Sequence, residues 1–465
     1  MVAKSTGAAF DTRRTRRAAI SGLAGFSATI LAACGAATST PGGDSETTGA
    51  GGAPAAKQPV TIRLGERAGT EEQAFDARLP VFADKYPHIT VVREPITGNM
   101  IQKLQTMAVS NTLPDNVHCY TGDQSYHNFS ANGAFIRIDD HIARDKLDLK
   151  GWFPEMVDMM RIDGRLHGLP FKGQVLTAGF FYNINLFEQG GAALPTEAWT
   201  LDDLVKAAEK LTVRQGGEIT QYGYAIQTWG GENFVGHLRQ WNGDSFSPDG
   251  KKATMDTPQV LEALQWYETM FNRQRILHPL ADASNHFIEG KVAMIGRTYL
   301  NYKTAAIHPK VQDSFKWNGV LMPKHAQTGK RGGMFAGDAH AVTRDSKSPD
   351  AAFELLKWVT DKEFGVALGL QTKGSTTLGG RPDVYADSRI LNHPDMPKQA
   401  QVAQLKSVKE IKEPYSVPWN FRAPEVYKVR DPVITKIANG EAKAEPGLLA
   451  QLNAEMQVIL DMPRP

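Results

Sequence analysis

The sequence predicts an α/β protein of two lobes, carried at the end of a flexible segment. Strand-like and helix-like hydrophobic patterns alternate from residue 60 onwards, as is typical of parallel α/β sheets. About 400 residues follow residue 59, which is more than one hydrophobic core ordinarily supports. The hydrophobic fraction of 41% is that of an ordinary globular chain.

Residues 1–33 have the pattern of a cleaved export signal. Four arginines between residues 13 and 17 form a charged head, and residues 18–33 are uncharged but too short and too rich in Gly and Ala to span a bilayer comfortably. Ala32-Ala33-Cys34 resembles a bacterial lipobox, in which Cys34 receives diacylglycerol and the chain is cut before it. Arg16-Arg17 loosely resembles a twin-arginine motif, so the export route stays open. The alternative is a buried N-terminal helix with a chance cysteine.

Residues 34–59 are predicted to be a flexible tether. They consist almost entirely of Gly, Ala, Ser, Thr and Pro, which offer too little apolar surface to fold. Flexible-linker scaling gives about 25 such residues a reach on the order of 25–30 Å. That reach holds a globular body clear of the lipid headgroups, on the extracellular face of the cell membrane or in the periplasm.

Charge and cysteine content exclude several classes of protein. The formal net charge is +2, and the five basic residues and one acid before Cys34 leave the exported chain near −2, so no nucleic-acid partner is predicted. Cys34 and Cys119 are the only cysteines, so no disulfide is expected, and Cys119 is interpreted as a buried, inert thiol. The twelve histidines lack ligand spacing, and no metal or cofactor is predicted.

The elements of the first lobe follow in order. The pattern predicts a strand at 60–64, a helix at 71–85, a second strand at 89–92, a helix at 99–110 and a third strand at 116–120. This order argues for a right-handed parallel sheet.

The pattern restarts after Pro170. A strand is predicted at 178–182, followed by a helix that begins at Thr200, where Thr200 and Asp203 fit a capping box.

Four segments occur in the order that is typical of one family. They are LHGLP at 166–170 followed by FYN at 181–183, WTLDDL at 199–204, FIEGKVAM at 287–294, and the helix at 351–358. Together they resemble extracellular solute-binding protein family 1, the carbohydrate-binding receptors of ABC importers that include the maltose-binding protein.

The resemblance implies a periplasmic-binding-protein-like fold, with three inter-lobe crossings and a central ligand cleft that closes by hinge bending. It places residues 60–170 and 303–362 in an N-lobe, and residues 171–302 and 363–465 in a C-lobe.

Sugar recognition requires aromatic platforms beside planar hydrogen-bonding groups. In the N-lobe, Tyr120 and Asp123 follow the third strand, where ligands gather in parallel sheets, although Asp123 suits a helix cap equally well. Arg67, after the first strand, is a ligand donor or a solvated loop charge. Lys172 lies just past the first crossing, and Asp338 binds hydroxyls or stabilises a turn.

The C-lobe supplies further candidates for the ligand site: Tyr182, Trp229, Asn242, Arg297, Tyr299 and Trp419. Trp229 precedes two glycines and is a stacking platform or an inter-lobe filler. Asn242 is a hydrogen-bonding group at the rim or a turn former. Tyr299 and Arg297 follow the second crossing of the family, and Trp419 is a second platform or ordinary packing.

These observations favour a lipid-anchored, monomeric receptor that binds a sugar and delivers it to the permease of an ABC importer, with membrane contact through the lipid alone. No hydrolase elbow, phosphate loop or zinc helix is present, so the chain is not predicted to be an enzyme. A secreted glycosidase stays open because its two carboxylates need not be close in sequence. The same fold with a polyol phosphate or polyamine as ligand also stays open.

Overall fold

The computed structural model describes residues 58–226, 230–278, 283–297, 314–372, 377–394 and 396–465. The predicted lipidation site Cys34 and the predicted ligand-site residues Trp229 and Tyr299 lie outside these residues. The strands are β1 Val60–Arg67, β2 Ile89–Ile96, β3 Asn116–Tyr120, β4 Arg161–Ile162, β5 Arg165–Leu166, β6 Gly168–Leu176, β7 Gly179–Asn183, β8 Val213–Gln215, β9 Glu218–Ile226, β10 Val292–Arg297, β11 Trp317–Leu321 and β12 Met334–Val342.

The helices of the described residues cover both sheets. They are α1 Glu72–Lys85, α2 Met100–Ser110, α3 Ser125–Ala131, α4 Asp139–Asp145, α5 Pro154–Met159, α6 Ile184–Gln189, α7 Leu201–Leu211, α8 Phe234–Leu238, α9 Pro258–Glu268, α10 Ala283–Ile288, α11 Pro349–Val359, α12 Lys362–Leu370, α13 Pro382–Tyr385, α14 Ser388–Leu391, α15 Lys398–Glu410, α16 Ala423–Ala438 and α17 Pro446–Leu460. Single helical turns occur at Leu149–Gly151, Gly231–Asn233, Arg239–Trp241 and Thr269–Arg273.

The N-lobe is built on a sheet of order β2-β1-β3-β12-β6. β1 pairs in parallel with β2 and β3, as the alternation predicts, whereas β12 runs antiparallel to both β3 and β6. Ile62, Leu64 and Val117 on its strands pack with Phe75 and Phe82 of α1 in one buried core. The carboxyl ends of β1 and β3 therefore lie at the same edge of this sheet.

The C-lobe is built on a sheet of order β11-β7-β10-β9-β8. β10 is parallel to β9 and antiparallel to β7, and β7 is antiparallel to β11. Its main core buries Phe180, Leu204, Tyr224 and Tyr267, together with side chains of α16 and α17.

Helix caps account for several boundaries. The side chain of Asn99 accepts a hydrogen bond from Gln102 N–H at the start of α2. Thr200 and Asp203 form the predicted capping box at the start of α7, with each side chain accepting from the other residue's backbone N–H. Local sequence signals thus fix where these two helices begin.

Strand pairing corrects the predicted lobe boundaries. β6 pairs with β12 along its length, so residues 171–176 belong to the N-lobe and the first crossing falls at 177–178. β11 pairs with β7, so residues 317–321 belong to the C-lobe, and the second crossing lies between β11 and β12. These pairings join segments far apart in sequence, which local patterns do not reveal.

The third boundary also moves towards the C-terminus. α12 was predicted to start the last C-lobe segment, but its Phe364 ring lies 4.9 Å from that of Phe75 on α1, in the N-lobe core. α15 instead packs on β11, where Ala400 and Ala403 join Leu321 in a buried cluster. The chain therefore passes to the C-lobe between α12 and α15.

Candidate functional site

A cavity of about 250 Å³ lies at the carboxyl end of β3, beside β6 and β12. It is lined by Tyr120, Thr121, Gly122, Asp123, Lys172, Gln174, Leu176, Ala336, Gly337, Asp338 and Thr377. Sheet register brings three of the predicted residues into one row, because Asp338 is the partner of Tyr120 on β3 and of Lys172 on β6. A Cβ at Gly337 would lie 2.5 Å from the Lys172 carbonyl oxygen, so glycine permits the close approach of β6 and β12.

Tyr120 provides an aromatic ring at the cavity. Its ring packs edge-on to that of His118, with centroids 5.0 Å apart, and the guanidinium carbon of Arg67 lies 5.7 Å from its centroid. Burial, together with the charge of Asp338, raises the pKa of Tyr120 to about 12, so its hydroxyl is protonated at neutral pH. Arg67 itself is exposed and contacts the site through this ring.

Asp123 lies in the loop between β3 and α3. Its Oδ1 accepts a hydrogen bond from Ser125 N–H at 2.9 Å, so the carboxylate stabilises the start of α3 and also lines the cavity. Gln124 next to it has φ of 58°, and its buried side chain accepts from Ala423 N–H and donates to the Pro418 carbonyl. These bonds hold the loop against the segment that precedes α16. Burial raises the pKa of Asp123.

Lys172 forms a buried ion-pair network instead of reaching freely across the cleft. Its Nζ lies 2.8 Å from Glu71 Oε1 and 2.9 Å from Asp338 Oδ2, and its side chain is 3% exposed. Burial opposes charge on all three groups, but the network prevails: it raises the pKa of Lys172 and lowers the pKa of both Glu71 and Asp338. His118 Nε2 also lies 3.1 Å from Asp338 Oδ2.

Asp338 lies in the middle of β12. The register of β12 against β6 shifts between Asp338 and Ala339, which marks a local irregularity at the cavity. Its role is therefore not that of a turn former.

Gln174 lines the cavity two residues beyond Lys172 on β6, and the alternation of side chains along a strand places both on one face. Its buried Oε1 has no hydrogen-bond partner. Sequence reasoning missed Glu71, His118 and Thr377. No local signal identifies Glu71, because its partner Lys172 is 101 residues away.

Other candidates lie elsewhere. Tyr182 is buried in the C-lobe core, where its ring contacts Phe187. Asn242 and Trp419 line a different cavity of about 610 Å³ in the C-lobe. Trp419 Nε1 donates to the Leu460 carbonyl at 2.7 Å, a bond that ties it to the end of α17.

Arg297 is the last residue of β10, next to the end of β9 in the sheet. Trp229 and Tyr299 follow the ends of these two strands by three and two residues in the sequence. Cys119 is buried, as predicted, and burial raises the pKa of its thiol. Trp241 is also buried.

Within the described residues, no group of three or more His, Cys, Asp or Glu side chains is arranged to hold a metal ion. No helix in the described parts of the chain combines the length and apolar character needed to cross a membrane.

Residues 79–398 match the sequence profile of the family described as bacterial extracellular solute-binding protein. The chain belongs to this family. The family predicted from the sequence motifs is thereby confirmed, and its members are binding proteins and not enzymes. The glycosidase alternative is set aside on this ground.

Two relatives and one solved structure illustrate the similarity. An uncharacterised ABC transporter extracellular-binding protein of Pyrococcus horikoshii is 30% identical over 149 residues, 31% of this chain and 32% of that protein. A lactose-binding protein of Rhizobium radiobacter is 24% identical over 294 residues, 61% of this chain and 66% of that protein. The chain thus spans less than two thirds of either relative.

The solved structure is an ABC substrate-binding protein from Listeria monocytogenes in complex with cycloalternan. It has a TM-score of 0.72 at 20% identity and covers 86% of this chain and 99% of its own. The likeness confirms the two-lobed α/β fold.

Proposed function

We propose that this solute-binding protein captures a sugar or oligosaccharide in the cleft between its lobes and delivers it to an ABC importer. The observation that carries the proposal is the cavity at the end of β3, where Tyr120, Asp123, Gln174 and Asp338 meet. An aromatic ring, two carboxylates and an unpartnered amide oxygen match the C–H faces and hydroxyl rim of a pyranose. The lactose-binding relative and the cycloalternan-bound structure support this class of ligand.

The charges at the cavity favour a neutral ligand. Glu71 and Asp338 share the single ammonium of Lys172, and Asp123 adds another carboxylate, so a phosphorylated polyol would meet net negative charge. A polyamine would find two of the three carboxylates already paired. Sugar hydroxyls can donate to carboxylate and amide oxygens without either conflict.

Delivery to an importer follows from a shape change on binding. A ligand favours the closed state only through contacts that both lobes make together. We propose that the N-lobe contacts come from the row of Tyr120, Asp338 and Lys172, and that the C-lobe contacts include the predicted residues Trp229 and Tyr299, which follow β9 and β10 in the sequence. Closure of these two surfaces over a sugar would distinguish a loaded receptor from an empty one.

One experiment distinguishes sugar binding from sugar turnover. Purified protein that begins at residue 35 is titrated with disaccharides and oligosaccharides by calorimetry, and the sugars are then analysed for products. The proposal predicts saturable binding of at least one sugar with no product. Absence of binding across the panel, or release of product, would contradict it.

We also propose that the protein is a lipid-anchored monomer, with Cys34 as the acylated residue. The lipobox and the Gly/Ala/Ser/Thr/Pro-rich residues 34–59 support this. Cys34→Ser should move the protein from the membrane fraction to the soluble exported fraction. A variant that stays with the membrane would show that Cys34 is not the anchor.

A further inference from the structure

We infer that the groove between α2 and α3 binds additional sugar units of an oligosaccharide whose end occupies the cleft cavity. The inference rests on the proposed function and deepens it, because it specifies a ligand of several units. The groove has a volume of about 450 Å³, larger than the cleft cavity of about 250 Å³. Both cavities are lined by residues that the structure describes.

The groove and the cleft cavity share one lining residue, Asp123. This residue lines both, at the start of α3, and the groove then follows α3 away from the cleft. A chain of sugar units that leaves the cleft past Asp123 would enter the groove directly.

The lining combines apolar faces with hydrogen-bonding groups. Ile101, Ala108 and Val109 from α2 face Phe129 from α3 across the groove. Val109 is 86% exposed, so its aliphatic side chain is accessible to a ligand in the groove. Pyranose rings present C–H faces that would cover such a surface while their hydroxyls stay at the polar edge.

Asn128 supplies an acceptor without a partner. Its Nδ2 donates to the Phe421 carbonyl at 3.2 Å, and because a carbonyl only accepts, this bond fixes which way the amide points. The remaining Oδ1 is buried and has no hydrogen-bond partner. A buried oxygen left unpaired costs stability, and a sugar hydroxyl would satisfy it.

The charges of the groove argue for a neutral occupant. Among the described residues that line it, Arg344 is the only cation, and its Nη2 donates to the Ala108 carbonyl at 2.9 Å. Asp123 is the only acid there, at the end next to the cleft. Arg344 is also near an acid, because its Nε lies 3.7 Å from Asp345 Oδ1, so a phosphate group would compete with a carboxylate for this cation. A cationic peptide would meet a single acid among the described lining residues.

Filling the groove tests the inference. Ala108→Trp places an indole among its lining residues and leaves the cleft cavity unchanged. Wild type and variant are titrated with maltose and maltohexaose, cellobiose and cellohexaose, and isomaltose and isomaltohexaose. We expect at least one hexasaccharide to bind wild type at least tenfold more tightly than its disaccharide, and Ala108→Trp to remove that preference while disaccharide affinity stays within twofold.

A second variant and a control keep the result interpretable. Val109→Ala removes apolar surface at an exposed position and should weaken the same hexasaccharide without affecting folding, whereas the control Val458→Trp, on the exposed surface of α17, should change the affinity for neither sugar. No preference for a hexasaccharide in wild type, or equal effects of Ala108→Trp on both lengths, would overturn the inference. Unchanged sugar affinities with loss of uptake in cells would instead assign the groove to the permease. Failure of every sugar to bind would refute the proposed function itself.

Discussion

Lys172→Met should destabilise the protein by about 3–5 kcal/mol at pH 7, the cost of removing one partner from a buried ion pair. The ammonium lies within 3 Å of both Glu71 Oε1 and Asp338 Oδ2, and its side chain is 3% exposed. Methionine fills a similar volume but leaves two buried carboxylates without their counter-charge. The loss therefore reflects charge more than packing.

The pKa shifts predict how the stability difference between wild type and Lys172→Met changes with pH. In the wild type, the network lowers the pKa of Asp338 and Glu71, so their stabilisation is present above the unfolded pKa of about 4 and is lost as the pH falls below it. Without Lys172, burial raises both pKa values, and the variant gains stability as these groups take up protons. The difference between wild type and Lys172→Met should be largest at pH 7 and shrink towards pH 4.

Urea unfolding at pH 7, 5.5 and 4.5 measures this difference. Lys406→Met is the matched control, because Lys406 Nζ lies 2.6 Å from Glu197 Oε1 but both side chains are more than 40% exposed. An exposed pair of this kind contributes less than about 1 kcal/mol. The reasoning fails if Lys172→Met costs no more than Lys406→Met, or if its cost is the same at all three pH values.

Three further predictions concern single side chains. Trp229→Ala should weaken sugar binding by roughly 1–3 kcal/mol, the scale of a lost stacking aromatic, and an unchanged Kd would remove Trp229 from the site. Thr200→Ala removes the capping box of α7 and should cost about 0.5–2 kcal/mol in urea unfolding, whereas an unaltered midpoint would show that the cap contributes little. In protein that begins at residue 35, Cys119 is 2% exposed and should react with a thiol reagent only after unfolding; rapid labelling of the native protein would contradict its burial.

Local signals in the sequence predicted the first half of the N-lobe well. β3 has the predicted bounds, and α1 and α2 begin and end within a residue of their predictions. β2 continues to Ile96, four residues beyond its predicted end, although Glu94 and Pro95 interrupt the apolar pattern. β2 is the edge strand of its sheet, where proline and charge are tolerated, and Glu94 pairs with Arg63 of β1.

Lobe membership could not be predicted from local patterns because it depends on pairing between distant segments. β11 has the same apolar character as an N-lobe strand, and its pairing with β7 alone assigns it to the C-lobe. The position of the second crossing followed from that pairing. The resemblance to a family supplied the number of crossings but not their exact residues.

The candidate site was predictable in part. Tyr120 and Asp123 follow from the rule that ligands gather at the carboxyl ends of parallel strands, and both line the cavity. Lys172 was predicted near the cleft and lines the same cavity, but its partner Glu71 precedes α1, and only the folded sheet brings them together. Trp419 and Asn242 are residue types that are common in sugar sites, but they line another cavity. Residue type alone does not determine where a side chain lies in the fold.

A calorimetric titration of Tyr120→Ala with the tightest-binding sugar tests the central claim most directly. Tyr222→Ala is the control, because that half-buried tyrosine lies on β9 and packs against His278 in the C-lobe. If the sugar occupies the cavity at the end of β3, Tyr120→Ala should raise the Kd by about tenfold or more, equivalent to about 1.4 kcal/mol, while Tyr222→Ala retains the wild-type value. Equal Kd values for wild type and Tyr120→Ala would contradict binding in this cavity.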